Sequence, residues 1–324
     1  MRKQDTNTVK SSHDADNSRG SRVRGVFVPA LTPFHPDLSV DTGRFVAHCR
    51  ALINDGADGL AVFGTTSEAN SLSVPERMEA LDRLIDSGIA TKRLMPGTGC
   101  CALPDTVALT RHAVEHGCLG VLLLPPFYYK GVGDDGLFAS IAEVIARVAD
   151  SRLRVYLYHI PSMAGVGFSL SLIERLLENF PGTVVGLKDS SGDWKNTQAL
   201  LQAFPGFEVF PGSETYLLDA LRAGGAGCIS ATANVNVAAM KALLQTWRSP
   251  AADAMQQRLT SVRAAIQKFP MVAANKAILA RRHAAPGWNV VRPPLVVLSG
   301  EKQTELFAAL DALEFGPHDA VTAA

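Results

Sequence analysis

The sequence predicts an α/β fold: a (β/α)8 TIM barrel followed by a helical C-terminal extension. Three observations carry this. From Gly25 onward, eight short apolar runs alternate with helical stretches at intervals of roughly 20 to 35 residues, a pattern that implies parallel pairing and closure. No Gly-x-Gly-x-x-Gly follows the first run, so an open dinucleotide-binding sheet is disfavoured. Beyond Asn236 the strand pattern stops and only helical periodicity continues. The expected organisation is a tail over residues 1–24, a barrel over 25–236 and a helical extension over 237–324.

The elements follow in order. Val26–Leu31 is the first strand, closed by Thr32-Pro33. Thr42–Asn54 is a helix, with Phe45, Cys49 and Leu52 on one face. Leu60–Phe63 is the second strand and leads into Gly64-Thr65-Thr66-Ser67-Glu68. Ser73-Val74-Pro75-Glu76 has the form of a capping box and opens the next helix. Leu94–Gly97 is a short third strand, and a helix over about 105–116 ends at Gly117. Val121–Leu124 runs into Pro126-Phe127-Tyr128-Tyr129, with a helix over 135–149 behind it. Val155–Tyr158 is the fifth strand, broken at Ile160-Pro161. Ser169 caps a helix that runs to Phe180. Val184–Lys188 is the sixth strand, with its helix over 196–204. Glu208–Phe210 and Cys228–Ser230 complete the barrel, separated by a helix over 216–223. Helices near 238–248, 252–268, 271–284 and 302–313 form the extension.

Composition narrows the class. The 324 residues accommodate a barrel of about 250 residues with additions. Lys plus Arg equals Asp plus Glu, 31 against 31, so net charge argues for neither nucleic acid nor a membrane surface. No apolar run reaches the roughly 18 residues that a membrane span needs. The five cysteines show no CxxC spacing, which predicts reduced thiols in a cytoplasmic protein. Residues 1–24 are polar and lack an apolar signal region; Asp5, Asp14 and Asp16 argue against a transit peptide. The expectation is a disordered tail.

Active sites of such barrels lie at the C-terminal ends of the strands. Those ends offer Gly64-Thr65-Thr66, Tyr128 or Tyr129, Tyr158-His159, Lys188-Asp189, Gly212-Ser213-Glu214, and Ser230, Thr232 and Asn234. Hydroxyls surround a single lysine. No cluster of metal ligands and no Gly-x-Ser-x-Gly elbow stands among them, so no metal is expected there. A lysine closing an apolar strand is out of place unless it snorkels or reacts. An apolar surrounding favours the neutral, nucleophilic amine, which is the requirement for a Schiff base with a carbonyl substrate. The iminium formed on Lys188 is an electron sink for making or breaking an adjacent C–C bond. Tyr158 with a threonine hydroxyl would then move the proton. Amides around Thr65 and Thr66 suit a carboxylate. His159 is expected to face away from Tyr158 by strand alternation.

These residues together resemble the dihydrodipicolinate synthase / N-acetylneuraminate lyase family of pyruvate-dependent class I aldolases. The likeness runs from Val26 to about Leu313. It rests on Gly64-Thr65-Thr66-x-Glu68, Pro126-Phe127-Tyr128, Tyr158-x-Ile160-Pro161, Gly186-Leu187-Lys188-Asp189 and Ile229-Ser230-Ala231-Thr232-Ala233-Asn234. The resemblance implies that Lys188 forms the imine with pyruvate or another 2-oxo acid and that no cofactor is needed. It implies that Tyr158 transfers the proton, and that Thr65 and Thr66 bind the carboxylate and complete the relay. Gly64, Gly212 and Ile229 would line the pyruvate pocket. Tyr128, or Tyr129 if the register shifts by one, would reach a neighbouring subunit's site, within a homodimer or homotetramer.

Two departures bear on substrate. Synthases of the family carry an arginine after Tyr-x-x-Pro-Ser for the carboxylate of the aldehyde; here Met163 follows Ser162 and offers no donor. Ser67 stands where a glycine is usual and is expected to add a hydroxyl near the mouth. The reading is therefore reversible aldol chemistry between a 2-oxo acid and an aldehyde that is less anionic or more apolar than the synthases' substrate, Met163 and Phe127 being near the pocket. The synthase reaction itself, a keto-deoxy sugar acid dehydratase or aldolase, a keto-acid sensor without turnover and, more remotely, a metal-assisted aldolase are the alternatives.

Overall fold

The structure, a computed structural model, describes residues 22–316. The tail expected over residues 1–24 lies outside the described residues as far as Ser21. From there Val23 N–H is already tied to Glu208 Oε1 at 2.9 Å.

Seven strands run parallel: β1 (Gly25–Val28), β2 (Gly59–Leu60), β3 (Val121–Leu123), β4 (Val155–His159), β5 (Val184–Asp189), β6 (Glu208–Pro211) and β7 (Gly227–Ile229). They form the ladders β2–β1–β7 and β3–β4–β5–β6. The run expected as a third strand joins the two through single parallel bridges, Leu60 with Leu94 and Gly97 with Leu122. Pro96 lies inside that run and has no N–H to donate, which limits the ladder there. At the other seam Ala226 N–H donates to the Val209 carbonyl at 2.9 Å, and Gly25 N–H to the Ala226 carbonyl at 2.9 Å. This closes the predicted barrel. Gly227 makes the seam sterically feasible: at its φ of +142° an added Cβ would stand 1.9 Å from the Gly25 carbonyl oxygen.

The helices are α1 (Thr42–Asn54), α2 (Val74–Asp86), α3 (Leu103–Glu115), α4 (Asp134–Val148), α5 (Pro161–Ala164), α6 (Leu170–Asn179), α7 (Trp194–Ala203), α8 (Leu217–Arg222), α9 (Ala233–Thr246), α10 (Ala252–Ile266), α11 (Met271–Arg282) and α12 (Gly300–Asp311). Local chemistry sets their starts. Both halves of the Ser73–Glu76 capping box are present at α2. The Ser169 hydroxyl accepts from Leu172 N–H at 3.0 Å at α6. The helix expected from residue 238 begins earlier, at Ala233, and contains a non-helical residue, Asn236, at φ −143° and ψ 27°. Its first turn is anchored to the β1 exit. Asn234 Oδ1 accepts from Leu31 N–H at 3.0 Å and pairs with His48 Nε2 at 2.9 Å. Burial pushes the His48 imidazole down to about 4, so it sits there neutral.

The barrel interior is a compact layer built from Phe27, Ala61, Met95, Leu122, Tyr156, Phe210, Ala226 and Ile229. Each large apolar side chain buried this way stabilises by about 1.5–3 kcal/mol. A larger core lies between the strands and the outer helices. A third, centred on Val262, Ile266 and Ala274, holds α10, α11 and α12 together and takes Leu31 and Val235 from the barrel. The extension is thereby fixed over the strand ends. No helix among the described residues is long and apolar enough to cross a membrane.

Candidate active site

Side chains alternate along a strand, so positions two apart share a face. Tyr156 and Phe210 fill the barrel interior. Two residues further toward the C-terminal ends come Tyr158 on β4 and Gly212 just past β6. On β5, Gly186 lies against the Tyr156 ring, and Lys188 is its counterpart one layer up. Ile229 leads in the same way to Ala231, and Ala61, four residues on, to Thr65. Thr65, Tyr158, Lys188, Gly212 and Ala231 all line one cavity of about 560 Å³. The strand period accounts for Tyr158, Lys188, Gly212 and Ala231, while the turn after β2, entered through Phe63 at φ 59°, brings in Thr65.

Tyr158 and Lys188 are register partners on adjacent strands. Lys188 Nζ donates to the Tyr158 hydroxyl at 3.2 Å and lies 4.3 Å from the centroid of its ring. Thr65 Oγ1 stands 3.3 Å from the same hydroxyl. Lys188 and Tyr158 are both buried, at 4% exposure each. For the Tyr158 phenol, burial works against ionisation. The Lys188 charge and hydrogen bonds from Thr65, Lys188 and Ser190 outweigh it and hold the phenol below its ordinary value of 10. The site thus sets an amine beside the hydroxyls of Tyr158 and Thr65, with Ser190 next to them.

Thr66 also lines the cavity. The turn folds on Gly64, whose carbonyl accepts from Ser67 N–H at 3.1 Å and Ala69 N–H at 3.2 Å. Among the described residues the amides of Thr65 and Thr66 have no protein acceptor. Gly212 approaches β5 so closely that an added Cβ would stand 2.1 Å from Ser190 Oγ. Gly64 and Ile229 are not among the lining residues: Ile229 is fully buried in the interior layer beneath.

The loop after β2 is held from behind. Glu68, at φ 57°, ion-pairs with Lys276 of α11, and both side chains are wholly buried. Its other oxygen accepts from Arg292 N–H at 3.0 Å, while Lys276 Nζ also donates to the Val290 carbonyl at 2.7 Å. Burial lowers the Lys276 amine from its usual range; the Glu68 charge and hydrogen bond oppose this.

Three expectations are revised. Ser67 adds no hydroxyl to the mouth: it is fully buried, and its Oγ donates to the Ala30 carbonyl at 2.6 Å. Phe127 packs against the main core and does not line the cavity, whereas Met163 does. The strand ends also do not complete the wall. The extension contributes Arg263, Met271, Val272, Leu295 and Val296, residues that no local pattern marks. Arg263 is engaged from behind, its Nη1 3.3 Å from the fully buried Glu214 and 3.0 Å from Ser230 Oγ. Glu214 also accepts from the hydroxyls of Ser230 and Thr232.

Asp189, at the cavity edge with Thr197, accepts from Thr197 Oγ1 at 2.6 Å and Asn196 Nδ2 at 3.0 Å, and so steadies the strand that carries Lys188. His159 does not line the cavity; its Nδ1 accepts from Phe168 N–H at 3.0 Å. Tyr128 is 73% exposed, packed edge-on against Tyr129 at 5.4 Å between centroids, and does not line the cavity.

A buried lysine at a strand end of a (β/α)8 barrel, hydrogen-bonded to a tyrosine with a lowered phenol and facing a hydroxyl-rich loop, defines a carbon–carbon lyase of the Schiff-base type. The sequence profile of the dihydrodipicolinate synthetase family matches residues 22–313. An uncharacterized DapA-like lyase of Chloroflexus aurantiacus is 35% identical over 296 residues, covering 90% of this chain and 98% of that one. The crystal structure of dihydrodipicolinate synthase from Agrobacterium tumefaciens superposes with a TM-score of 0.81 at 35% identity, covering 89% of this chain and 99% of that one. YagE of Escherichia coli K12, a prophage protein of the same family solved with pyruvate, gives 0.83 at 26% identity over 90% of this chain and 99% of its own. The chain belongs to the dihydrodipicolinate synthetase family and is a pyruvate-dependent lyase of its class I aldolase type.

Proposed function

We propose that this enzyme joins a 2-oxo acid, pyruvate in the first instance, to an aldehyde, or cleaves the product of that union, through an imine on Lys188. The observation that carries the reading is the Lys188 Nζ to Tyr158 hydroxyl contact of 3.2 Å inside the cavity. The amine attacks the 2-oxo carbon, and loss of water leaves the iminium. Removal of a proton from the adjacent methyl gives the enamine, which attacks the aldehyde carbon. Hydrolysis then frees Lys188. Tyr158 moves the protons, and its lowered phenol suits an acceptor that must also donate; Thr65 relays them. The free amides of Thr65 and Thr66 support these residues as the carboxylate site. No cofactor enters this sequence of steps.

The acceptor is an uncharged or apolar aldehyde. Met163, on α5, lines the cavity and cannot grip a carboxylate, and Ile160, Val272, Leu295 and Val296 extend the apolar wall. Arg263 is charge-compensated by Glu214. The exposed Tyr128–Tyr129 pair supports a second copy of the chain as its cover, and hence a dimer or a pair of dimers. A screen of aldehydes coupled to pyruvate consumption tests the reading. Turnover with neutral or apolar aldehydes, lost in Lys188→Ala, is expected. Efficient condensation with aspartate semialdehyde alone would reject the substrate assignment.

A further inference from the structure

The outer helical layer brings together three metal-binding side chains remote from the strand ends. His112 and His116 lie four apart along α3 and its C-terminal cap, so both face the same way. Asp82 of α2 meets them. His112 Nε2 lies 2.8 Å from Asp82 Oδ1, and His116 Nε2 lies 3.1 Å from the same oxygen. All three atoms fall within 4.8 Å of one another.

Charge pairing alone accounts poorly for this. Asp82 Oδ1 and His112 Nε2 are buried, yet neither makes a hydrogen bond of acceptable geometry despite their separation of 2.8 Å. Buried polar atoms are ordinarily satisfied. Atoms that crowd together without bonding to one another retain the capacity to act as donors to a shared ion. The spacing fits as well: with bonds of 2.0–2.1 Å, two ligands of a tetrahedral zinc stand about 3.3 Å apart. Two imidazoles and one carboxylate suit zinc better than magnesium or calcium. The two rings are 4.6 Å apart and inclined at 73°, and the His116 and Asp82 side chains are partly exposed, so water can reach the trio.

We propose that Asp82, His112 and His116 form a zinc site that clamps α2 to α3, with water in the fourth position. It involves no residue of the catalytic cavity, so its test is independent of the aldolase reading. The full chain, stripped with a chelator, is titrated with Zn2+ and separately with Co2+ as a spectroscopic probe. Expected are one Zn2+ per chain, a rise in Tm, and a tetrahedral Co2+ spectrum without a thiolate charge-transfer band. His116→Ala and Asp82→Asn should each weaken Zn2+ binding by at least about tenfold, the lower end of what even outer-shell partners cost. Both should remove the Tm response while leaving pyruvate turnover unchanged. Absence of Zn2+ binding in the natural chain, a thiolate band, or wild-type affinity in both variants would overturn the proposal.

Discussion

Lys188 and Tyr158 are register partners on adjacent parallel strands, and their reactive atoms stand 3.2 Å apart. The pairing comes from the backbone: the ladder between β4 and β5 sets the separation, and the pleat turns both side chains inward. No loop closure is needed to assemble this half of the site.

Replacing Tyr158 with Phe removes the proposed proton carrier while keeping the ring that lies against Lys188. We predict a loss of kcat of about 10²–10⁴-fold, the usual worth of a positioned acid–base group. KM for the 2-oxo acid should change far less, since its carboxylate is proposed to sit on the amides of Thr65 and Thr66. Steady-state kinetics on the variant decides this; an unchanged kcat would remove Tyr158 from the chemistry.

The lowered phenol of Tyr158 gives a pH signature. Burial alone would raise it, and the Lys188 charge is the largest influence holding it down. Lys188→Met should therefore move the Tyr158 ionisation upward, past the ordinary 10. Tyrosinate absorbance followed through an alkaline titration should show a component below 10 in the natural enzyme, absent from both Lys188→Met and Tyr158→Phe. The same component in Lys188→Met would show that the lysine does not govern the phenol.

The buried Glu68–Lys276 pair ties the threonine loop to the extension. Glu68→Gln leaves a buried ammonium without its counter-charge and should cost about 3–5 kcal/mol in denaturant unfolding. Glu68→Leu combined with Lys276→Met should recover part of that loss. Equal destabilisation by the single and double variants would argue against a charge effect.

Met163→Arg places a guanidinium at the cavity wall, where the natural side chain is 67% exposed and has room to change. Lower KM values for aldehydes that carry a carboxylate are predicted, with those for apolar aldehydes rising. An unaltered preference would show that this wall does not read the acceptor.

Much of the fold was legible from alternation. Eight apolar runs gave the barrel, and Ser73, Glu76 and Ser169 gave helix starts that the structure repeats closely. The run at Leu94–Gly97 survives only as bridges, since one proline cannot be weighed from sequence against the pairing around it. Lys188 and Tyr158 could be placed together because the period of two determines where strand side chains go, and Thr65 because its loop leaves the same end of the barrel. Arg263, Val272, Leu295 and Val296 could not: they reach the cavity from helices and loops up to 231 residues downstream of Thr65, through packing no local pattern records. Ser67 was misplaced because sequence does not say which way a loop hydroxyl turns. The proposed cluster of Asp82, His112 and His116 was not read from the sequence, since its members come from two different helices.

Lys188 is proposed to carry the substrate as an imine. Borohydride reduction in the presence of pyruvate, followed by peptide mass spectrometry, tests it most directly. One reduced pyruvate adduct per chain is expected, on the peptide containing Lys188, with none in Lys188→Ala. No adduct, or an adduct on Lys276, the other lysine buried among the described residues, would rule this out.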